Sequence, residues 1–396
     1  MKQYDQLISN DHSRFSEDVN EIEIVLSKEI SSSNFLVIGG AGSIGQSVVK
    51  QIFSRNPKKL DVVDINENGL VELVRDIRSS YGYISGEFNT LVVDCDSAEF
   101  EAAVKSKQPY DYVLNLSALK HVRSEKDPFT LMRLIRVNIL NTIKTLEIAK
   151  ISGAKKYFCV STDKATNPVN MMGASKRIME MFLYQHSKDI NISTARFANV
   201  AFSDGSLLDG FNKRFEKKQP ITAPKNIKRY FINLREAGEL CLLSCMAGHN
   251  NEIYFPKIQK DLALTDFIYL VESFLKAKGY TAFECSSEEE ARREASNLIS
   301  HKKWPCIFFD SDTTGEKEYE EFFTNEDSLN LDTYQSIGIL NNNLLSDEQL
   351  LEIFLDNISS FLEKGIWTRK NLIDEFEVLL GNFKHIEKGK FLDEKM

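Results

Sequence analysis

The residues that could carry out chemistry are concentrated between Val160 and Lys176. Thr162, Asp163 and Lys164 leave an apolar run together, so a hydroxyl, a carboxyl and an ammonium group stand side by side. Such a set can hold a substrate hydroxyl and transfer protons to or from it. An adjacent acid and base in a loop are more often an exposed pair. The end of a predicted strand favours a catalytic role instead, because ligands of parallel sheets bind there.

Three glycines follow the first predicted strand, Asn34–Ile38. In a strand–turn–helix unit, Gly39 allows the tight turn, Gly42 lets a pyrophosphate approach the backbone, and Gly45 lets the helix pack on the sheet. The spacing G-x-x-G-x-x-G is one residue longer than the fingerprint of simple dehydrogenases. A glycine triplet alone is weak evidence, but here a strand precedes it and a predicted helix follows at 46–54. The unit therefore predicts a dinucleotide site.

The residues around this turn predict which dinucleotide binds. Ser43, Ile44 and Gly45 would offer free N–H groups and the positive end of a helix dipole to the phosphates. Asp64, nineteen residues after Gly45, ends the second predicted strand, where a carboxylate accepts hydrogen bonds from ribose hydroxyls and repels a 2′-phosphate. NAD is therefore predicted as the cofactor rather than NADP, unless Asp64 only opens a turn. Asp94, which ends the next strand, is predicted to lie beside the adenine.

The elements that position these residues alternate between strand and helix from Asn34 to about Arg196. This alternation predicts an α/β fold with a Rossmann-type doubly wound parallel sheet. All the residues named so far would then lie at or near the carboxyl ends of its strands. Further strands are predicted at 112–117, 156–161 and 191–197, and further helices at 128–152, 174–187 and 234–247.

The chain is predicted to have four regions: a helical arm (1–33), an NAD-binding Rossmann domain (34–200), a smaller substrate-binding lobe with some strands returning to the main sheet (201–330), and a helical extension (331–396). In the arm, a helix is predicted near 15–30. In the extension, Ser346 is predicted to cap a helix with one apolar face. Another helix is predicted at 367–380, ended by Gly381.

Composition limits the partners of the protein. The 396 residues carry a formal net charge of −9, which argues against a broad surface for nucleic acid or anionic membranes. The six cysteines form no C-x-x-C pair, so reduced thiols are expected and no metal site is predicted. No apolar run is long enough to cross a bilayer, and the first 33 residues are too charged for a signal peptide. We expect a cytoplasmic protein that forms homo-oligomers.

Between about Asn34 and Tyr254 the sequence resembles the nucleotide-sugar 4,6-dehydratases of the extended short-chain dehydrogenase/reductase superfamily, and among them the UDP-N-acetylglucosamine 4,6-dehydratases. The motifs that carry the resemblance are Ser161-Thr-Asp-Lys-Ala165 with Asn167-Pro168, Met172-Gly-Ala-Ser-Lys176 and Ser117-Ala-Leu-Lys-His-Val122. Weaker matches are Arg196-Phe-Ala-Asn-Val200 and Asp204-Gly-Ser206. The tail from Ser311 to Lys317 onward resembles the legionaminic-type members, which lack the membrane helices of longer relatives.

The resemblance implies dehydration by internal redox for bacterial polysaccharide or nonulosonic acid synthesis. Hydride leaves C4 of the sugar for NAD, the C4 ketone acidifies the C5 proton, water leaves from C6, and hydride returns to C6. Asp163 is implied as the acid for the C6 hydroxyl, Lys164 as the base at C5, and Thr162 as the group that holds the C4 hydroxyl. Lys164 can act as a base only when neutral, so burial and the positive charges of Lys176 and the nicotinamide are expected to lower its pKa.

Lys176 and Met172 occupy the positions of the usual Tyr-x-x-x-Lys pair of the superfamily. The resemblance implies that Lys176 binds the nicotinamide ribose. A thioether cannot accept a proton, so Met172 leaves the base for the C4 hydroxyl open. A branch of the resembling dehydratases carries methionine at this position, and an inactive enzyme is the alternative.

The resemblance also implies contacts outside this segment. Four residues after the fourth strand are implied at the cofactor or substrate: Ser117, Ala118, Lys120 and His121. A loop histidine held by structural partners is an equal alternative for His121, and Asn138 is implied to brace the sheet or the loop.

The diphosphate of the substrate needs Arg or N–H donors. The implied donors are Asn199, Ser206 and Arg229. Asp204 stands where relatives often carry arginine, which leaves Lys213, Lys225 or Lys228 as substitutes.

Three classes of function fit these residues unequally. A dehydratase acting on UDP-N-acetylglucosamine, with retention at C5, is favoured by the segment 162–164 with Met172, and a GDP-sugar is an alternative substrate. An inverting dehydratase differs only in how C5 is reprotonated. A nucleotide-sugar epimerase or reductase predicts tyrosine in place of Met172. A non-catalytic NAD-binding regulator or scaffold would bind the cofactor without turnover.

Overall fold

The computed structural model describes residues 13–197, 199–258, 264–311, 317, 321–342 and 347–386. The strands are β1 (Asn34–Ile38), β2 (Lys59–Asp64), β3 (Glu87–Val92), β4 (Tyr112–Asn115), β5 (Lys156–Thr162), β6 (Asn191–Phe197), β7 (Asn199–Val200), β8 (Ile221–Pro224), β9 (Lys228–Arg229), β10 (Phe231–Ile232), β11 (Glu252–Pro256), β12 (Thr265–Asp266), β13 (Thr281–Glu284), β14 (Lys303–Phe309), β15 (Leu329–Asn330) and β16 (Ile337–Asn341).

The α-helices are α1 (Ser16–Ser31), α2 (Ser43–Phe53), α3 (Glu67–Ser80), α4 (Ala98–Lys107), α5 (Pro128–Ile135), α6 (Asn141–Ile151), α7 (Met171–His186), α8 (Leu207–Glu216), α9 (Leu234–Ala247), α10 (Phe267–Ala277), α11 (Glu288–Ser300), α12 (Glu348–Lys364) and α13 (Arg369–Leu380). Short 3₁₀ turns lie at Val122–Glu125 and Asp163–Ala165, and a π-helical turn lies at Arg136–Leu140.

The main sheet has nine strands in the order β15-β16-β11-β6-β5-β4-β1-β2-β3. The seven strands from β11 to β3 are parallel, and β16 and β15 continue the sheet antiparallel. The order 3-2-1-4-5-6 is that of a Rossmann fold, so the predicted fold class is confirmed. This order brings the carboxyl ends of β1, β2, β4 and β5 to one edge of the sheet.

Helices cover both faces of the main sheet, because its central strands are apolar on both faces. In β1, Phe35 and Val37 join one hydrophobic cluster, and Leu36 and Ile38 join another on the opposite face. Side chains of a strand alternate between faces, so a continuous apolar run marks a strand buried on both sides. Such a rigid layer holds the strand ends in place for a site.

Several helix boundaries differ from the predictions in ways that affect the site. Helix α7 begins at Met171 instead of 174, because the Asn170 side chain accepts the N–H of Gly173 and caps it there. Met172 and Lys176 therefore lie on one helix. The helix predicted at 128–152 is interrupted by the π-helical turn at 136–140. Such turns occur often at functional sites.

The C-terminal helices pack on the main domain as a hairpin. Apolar residues of α12 and α13 join those of α5 and α7 in one hydrophobic cluster. The Asp347 side chain accepts the N–H groups of Gln349 and Leu350 at the start of α12, so the prediction that Ser346 caps this helix is wrong. Ser346 itself lies outside the described residues. Thr368 caps α13, which begins at Arg369.

A second, parallel sheet of order β13-β14-β8 lies within the predicted substrate lobe, packed with α10. Strands β11 and β15 from the same stretch of chain belong to the main sheet. The boundary of the lobe at 201–330 stays a prediction. Over the stretches of chain described above, no helix is both long and apolar enough to cross a membrane.

Candidate active site

The glycine turn after β1 has the geometry expected of a phosphate cradle. Gly39 adopts φ +80°, and a Cβ there would lie 2.6 Å from the backbone nitrogen of Ser117. A Cβ on Gly45 would lie 2.1 Å from the carbonyl oxygen of Gly39. Both glycines are therefore required by the packing of the turn itself. At Gly42 the nearest atom to an added Cβ is 3.5 Å away, so packing within the protein does not require glycine there.

Helix α2 begins directly after Gly42, without a side-chain cap. The N–H groups of its first turn, from Ser43, Ile44 and Gly45, have no intrahelical acceptors and point along the helix axis toward its N-terminus. Together with the helix dipole, they form a site that favours an anion. The three residues lie in the first turn of this helix, and their contact with the cofactor phosphates stays a prediction.

A cleft of about 220 Å³ adjoins this turn. Its lining includes six of the predicted cofactor residues: Gly39, Gly42, Asp64, Asp94, Ser117 and Ala118. Asp64 accepts the N–H of Ala41 through Oδ2 and the N–H of Asn66 through Oδ1, both at 2.9 Å, so its carboxylate is fixed at the mouth of the turn. Asp94 lies just beyond the end of β3, and its Oδ2 is 3.6 Å from Nη2 of Arg133.

Two asparagines hold the loop after β4 in this cleft. The Asn115 side chain accepts both the N–H and the hydroxyl of Ser117, at 3.1 and 2.6 Å. Asn138, in the π-helical turn, accepts the N–H of Leu119 and donates to its carbonyl and to the hydroxyl of Ser175. Asn138 thus braces the cofactor loop against α7.

The acid and the lysine at the end of β5 are in contact. Asp163 is only 1% exposed. Its Oδ1 accepts the hydroxyl of Thr162 at 2.8 Å and lies 3.2 Å from Nζ of Lys164. The pair is therefore not an exposed loop pair. A hydroxyl, a buried carboxyl and a partly exposed ammonium group form one connected set.

A buried ion pair supports this set from behind. Arg196 and Glu180 form two hydrogen bonds, at 2.9 and 2.6 Å, and both side chains are essentially inaccessible to water. Glu180 also accepts the hydroxyl of Ser161, and Arg196 donates to the hydroxyl of Thr166. Through Ser161 and Thr166, the pair therefore holds the chain in place on both sides of Thr162–Lys164.

Lys176 does not line the cleft in this structure. Its Nζ is buried and donates to the carbonyl oxygen of Val160 at 3.0 Å and to the sulfur of Met179 at 3.5 Å. Burial lowers the pKa of Lys176, and nearby Cys159 and Glu180 oppose that shift. Met172 is buried one turn earlier on α7. The predicted contact of Lys176 with the nicotinamide ribose stays a prediction.

Because Lys176 is buried and its pKa is lowered, we expect that replacing it with an apolar residue stabilises the fold. Since its pKa is lower in the folded than in the unfolded chain, the unfolded chain binds more protons between the two values, and stability rises with pH across that interval. Lys176→Met should raise the free energy of unfolding at neutral pH by roughly 1 kcal/mol and remove this part of the pH dependence. Urea unfolding at neutral and alkaline pH measures both effects. A loss of stability at neutral pH would contradict this assignment.

Two further predicted residues, Lys120 and His121, face the loop after β7. Nζ of Lys120 lies 3.2 Å from the hydroxyl of Ser203, and the ring of His121 packs against Gly205. The same loop reaches the glycine turn, where the N–H of Asp204 donates to the Ser43 hydroxyl at 2.8 Å. Desolvation lowers the pKa of Lys120, with Asp204 and Asp209 opposing that shift.

Desolvation also lowers the pKa of His121, and Lys120 and Arg123 lower it further. The loop after β7 therefore places Asp204 next to the predicted phosphate site, and Lys120 and His121 contact the same loop.

The three predicted diphosphate donors have structural partners in this state. The Ser206 hydroxyl accepts the N–H of Asp209 and caps α8. The Asn199 side chain donates to the carbonyl oxygen of Tyr230 at 3.4 Å. Arg229 is buried and donates to the carbonyl oxygens of Lys228 and Lys317. Their roles toward a substrate stay predictions.

Sequence reasoning missed several residues of the site. Arg133 lines the cleft beside Asp94 but comes from α5, and no motif marks it. Glu180 was also missed, although it is the buried partner of Arg196. The capping role of Ser206 could have been found, because Ser206 and Asp209 fit the S-x-x-D pattern of a capping box.

The fold and the glycine-turn cleft define a Rossmann-type protein with an acid–lysine pair at the end of its fifth strand. This chain belongs to the family described as polysaccharide biosynthesis protein, whose family model matches residues 35–342.

Several curated relatives show similarity below one third identity. The chain is 29% identical over 324 residues to an uncharacterised membrane protein of Methanocaldococcus jannaschii, covering 80% of this chain and 87% of that one. It is 28% identical over 259 residues to the UDP-N-acetylglucosamine 4,6-dehydratase (inverting) of Campylobacter jejuni, covering 63% and 73%. It is 27% identical over 245 residues to a UDP-glucose 4-epimerase of Rickettsia bellii, covering 56% and 65%. The chain spans only 50% and 42% of two longer relatives, from Staphylococcus aureus and Bacillus subtilis.

Solved structures share the fold. Pen from Bacillus thuringiensis superposes with a TM-score of 0.63 at 20% identity, over 81% of this chain and 90% of that one. DesIV, a dTDP-glucose 4,6-dehydratase from Streptomyces venezuelae with NAD bound, gives a TM-score of 0.56 at 16% identity, over 73% and 88%. At these identities the likeness shows the fold alone.

Proposed function

We propose that this protein is an NAD-dependent 4,6-dehydratase of UDP-N-acetylglucosamine. The observation that carries the proposal is the contact of buried Asp163 with both Thr162 and Lys164 at the end of β5. Dehydration of the sugar needs an acid at C6 and a base at C5, and this set provides one of each. The family, and the name of the Campylobacter relative, support the substrate class.

The cofactor site fits NAD. Gly42 has room for a closely approaching pyrophosphate, and the first turn of α2 offers N–H groups to it. Each oxygen of Asp64 accepts one backbone N–H and retains a lone pair for a ribose hydroxyl. NAD, when bound, takes up hydride from the sugar and returns it. A neighbour of the same fold also holds NAD.

The residues of the chain suggest where the protons go. Met172 cannot accept the proton of the C4 hydroxyl. The Thr162 hydroxyl already donates to Asp163, so the C4 proton can pass through Thr162 to that carboxylate. Asp163 then gives a proton to the C6 hydroxyl as it leaves as water. Neutral Lys164 removes the C5 proton and later returns one to C5.

The proton held by Lys164 must leave before it can act as a base. Asp163 takes up the C4 proton, so Lys164 releases its own proton to solvent, to which its side chain is 20% exposed. Lys176, buried behind β5, would hold the cofactor ribose and help the C4 step by its charge. Lys120, His121, Asn199, Ser206 and Arg229 would form the substrate side.

The first experiment incubates the protein with UDP-N-acetylglucosamine, without added NAD, and determines the mass of the product by mass spectrometry and its C4 configuration by proton NMR. The proposal expects a product that has lost one water. A product of unchanged mass with inverted C4 would identify an epimerase, which the Rickettsia relative favours and Met172 disfavours. Unchanged substrate, also after NAD is added, would identify a non-catalytic NAD-binding protein.

The stereochemistry at C5 is a finer part of the proposal. Retention is proposed from the resemblance of the tail at 311–317, of which only Ser311 and Lys317 are described. The Campylobacter relative is named as inverting. C4 of the keto product carries no hydrogen, so the H1–H2 and H2–H3 ring couplings and the nuclear Overhauser effect between H3 and H5 separate the two results.

Alanine substitutions at Gly42 and Gly45 are expected to separate cofactor binding from folding. Gly42→Ala should leave the free energy of unfolding within about 0.5 kcal/mol and weaken NAD binding at least tenfold, because the methyl group would occupy the approach of the pyrophosphate. Gly45→Ala should destabilise the fold, because its Cβ would clash with the Gly39 carbonyl. Calorimetric NAD titration and thermal unfolding measure both variants. Unchanged NAD affinity in the Gly42 variant would place the pyrophosphate elsewhere.

A further inference from the structure

The C-terminal segment 382–386 lies against the loop that connects Lys164 to Met172. It follows α13 and lies beyond the family match, which ends at residue 342. The N–H of Ile386 donates to the carbonyl oxygen of Val169 at 3.3 Å, and Phe383 joins the hydrophobic cluster that contains Met171. Val169 lies between Lys164 and Met172, so this segment supports the loop between them.

A buried histidine and a buried carboxylate face each other where this segment meets the turn Val122–Glu125. Nε2 of His385 lies 3.3 Å from Oε2 of Glu125, and their side chains are 4% and 0% exposed. Neither Nε2 of His385 nor the other carboxylate oxygen, Oε1, has a hydrogen-bond partner among the described residues, so the two side chains are in contact without a well-formed hydrogen bond. A buried carboxylate with so few donors depends strongly on each polar group that faces it.

Glu125 connects this pair to the start of α7. Its Oε2 accepts the N–H of Met171, the first residue of the helix, at 2.7 Å. The positive end of the helix dipole favours a carboxylate at this place. The backbone of Glu125 is held as well, because its carbonyl oxygen accepts Nε of Arg369 at 2.6 Å.

The first turn of α7 in turn touches the acid–lysine segment. A Cβ on Gly173 would lie 2.4 Å from the carbonyl oxygen of Lys164, so helix and loop are in direct contact. A small shift of Met171 would therefore move Lys164. The contacts form one path from His385 through Glu125 and Met171 to Lys164.

We propose that His385 and Glu125 are a positioning pair, through which the C-terminal segment sets the placement of Lys164 and Met172. The expected change in kcat rests on the proposed function, whereas the contacts themselves are independent of it. Two charged residues of α13, Arg369 and Glu377, also contact this region. Oε1 of Glu377 faces the backbone N–H of His385 at 3.4 Å.

The test compares His385→Phe with His385→Gln, and uses Lys384→Ala, an exposed neighbour, as the matched control. The Phe variant keeps the ring volume without a donor, and we expect kcat to fall roughly tenfold or more with KM for the substrate nearly unchanged. The Gln variant keeps a donor and should recover most of kcat.

Hydrogen exchange measured without substrate gives a second, independent result. The Phe variant should exchange faster at 165–176 and normally at 43–53. Wild-type exchange and wild-type kcat in the Phe variant would overturn the proposal. If the wild-type protein does not turn over UDP-N-acetylglucosamine, the proposed function fails, and the exchange result still decides whether this pair positions the loop.

Discussion

Replacing Asp163 with asparagine is expected to lower kcat for dehydration by about 10³-fold. The amide has nearly the same volume and can still accept the Thr162 hydroxyl, so the fold and NAD binding should be unchanged. It cannot carry the proton that the C6 hydroxyl needs in order to leave as water. Steady-state kinetics with UDP-N-acetylglucosamine and calorimetric NAD titration measure the two properties separately.

The matched control is Asp189→Asn, which changes a half-exposed acid that pairs with Lys150 at the far end of α7. This variant should keep the wild-type kcat. If Asp163→Asn stays within a few-fold of wild-type kcat, another group protonates the C6 hydroxyl and the assignment of the acid is wrong.

Breaking the buried pair of Arg196 and Glu180 is expected to have the largest effect on stability. Arg196→Met leaves the Glu180 carboxylate buried without its main cation, which costs about 3–5 kcal/mol of unfolding free energy. The double variant Arg196→Met with Glu180→Leu should regain part of this loss, because the buried carboxylate is removed together with its main cation, although Arg177 then loses Glu180 as a partner. It should stay inactive, because Ser161 and Thr166 lose the partners that hold both sides of the acid–lysine segment.

The pH dependence of stability provides a second check on this pair. Burial alone would raise the pKa of Glu180, but Arg196 and Arg177 outweigh it and the pKa lies below its usual value. The stabilisation by Glu180 is therefore fully present above the carboxylate pKa of the unfolded chain, and is lost as the pH falls through the lower folded value.

Urea unfolding of the wild-type protein, the variants Arg196→Met and Glu180→Leu, and the double variant at several pH values measures these effects. Arg293→Met, at an exposed pair with Glu294, is the control and should change stability by less than about 0.5 kcal/mol. Equal, small effects of Arg196→Met and Arg293→Met would show that the buried pair does not stabilise the fold.

Local patterns predicted most of the elements but fewer of their ends. Strand β6 and helix α9 have the bounds that the sequence predicts. Helix α9 lies between Asn233, which caps its start, and Gly248, which follows its last residue. Helix α7 begins three residues before the predicted start at 174, because Gly173 suggests a helix boundary, whereas the Asn170 cap places the start at Met171. Ser346 and Asp347 are both good N-cap residues, and only the structure shows that Asp347 accepts the helical N–H groups.

The candidate site also contains residues that the sequence predicts and residues that it does not. The glycines, Asp64 and the segment 162–164 could be predicted, because each follows a strand within a few residues and strand ends converge. Arg196 with Glu180, and His385 with Glu125, could not be predicted as pairs, because periodicity carries no information on which distant side chains meet. Homo-oligomerisation stays a prediction from the sequence.

The most direct test of the central claim is the reaction of the wild-type protein with UDP-N-acetylglucosamine in heavy water, without added NAD, followed by NMR. The account predicts a 4-keto-6-deoxy sugar with deuterium at C5, because Lys164 is partly exposed and its protons exchange with solvent. The C6 methyl group should receive its hydride from C4 and not from the solvent. A product that keeps its C6 hydroxyl, or no product after NAD is supplied, would contradict the account.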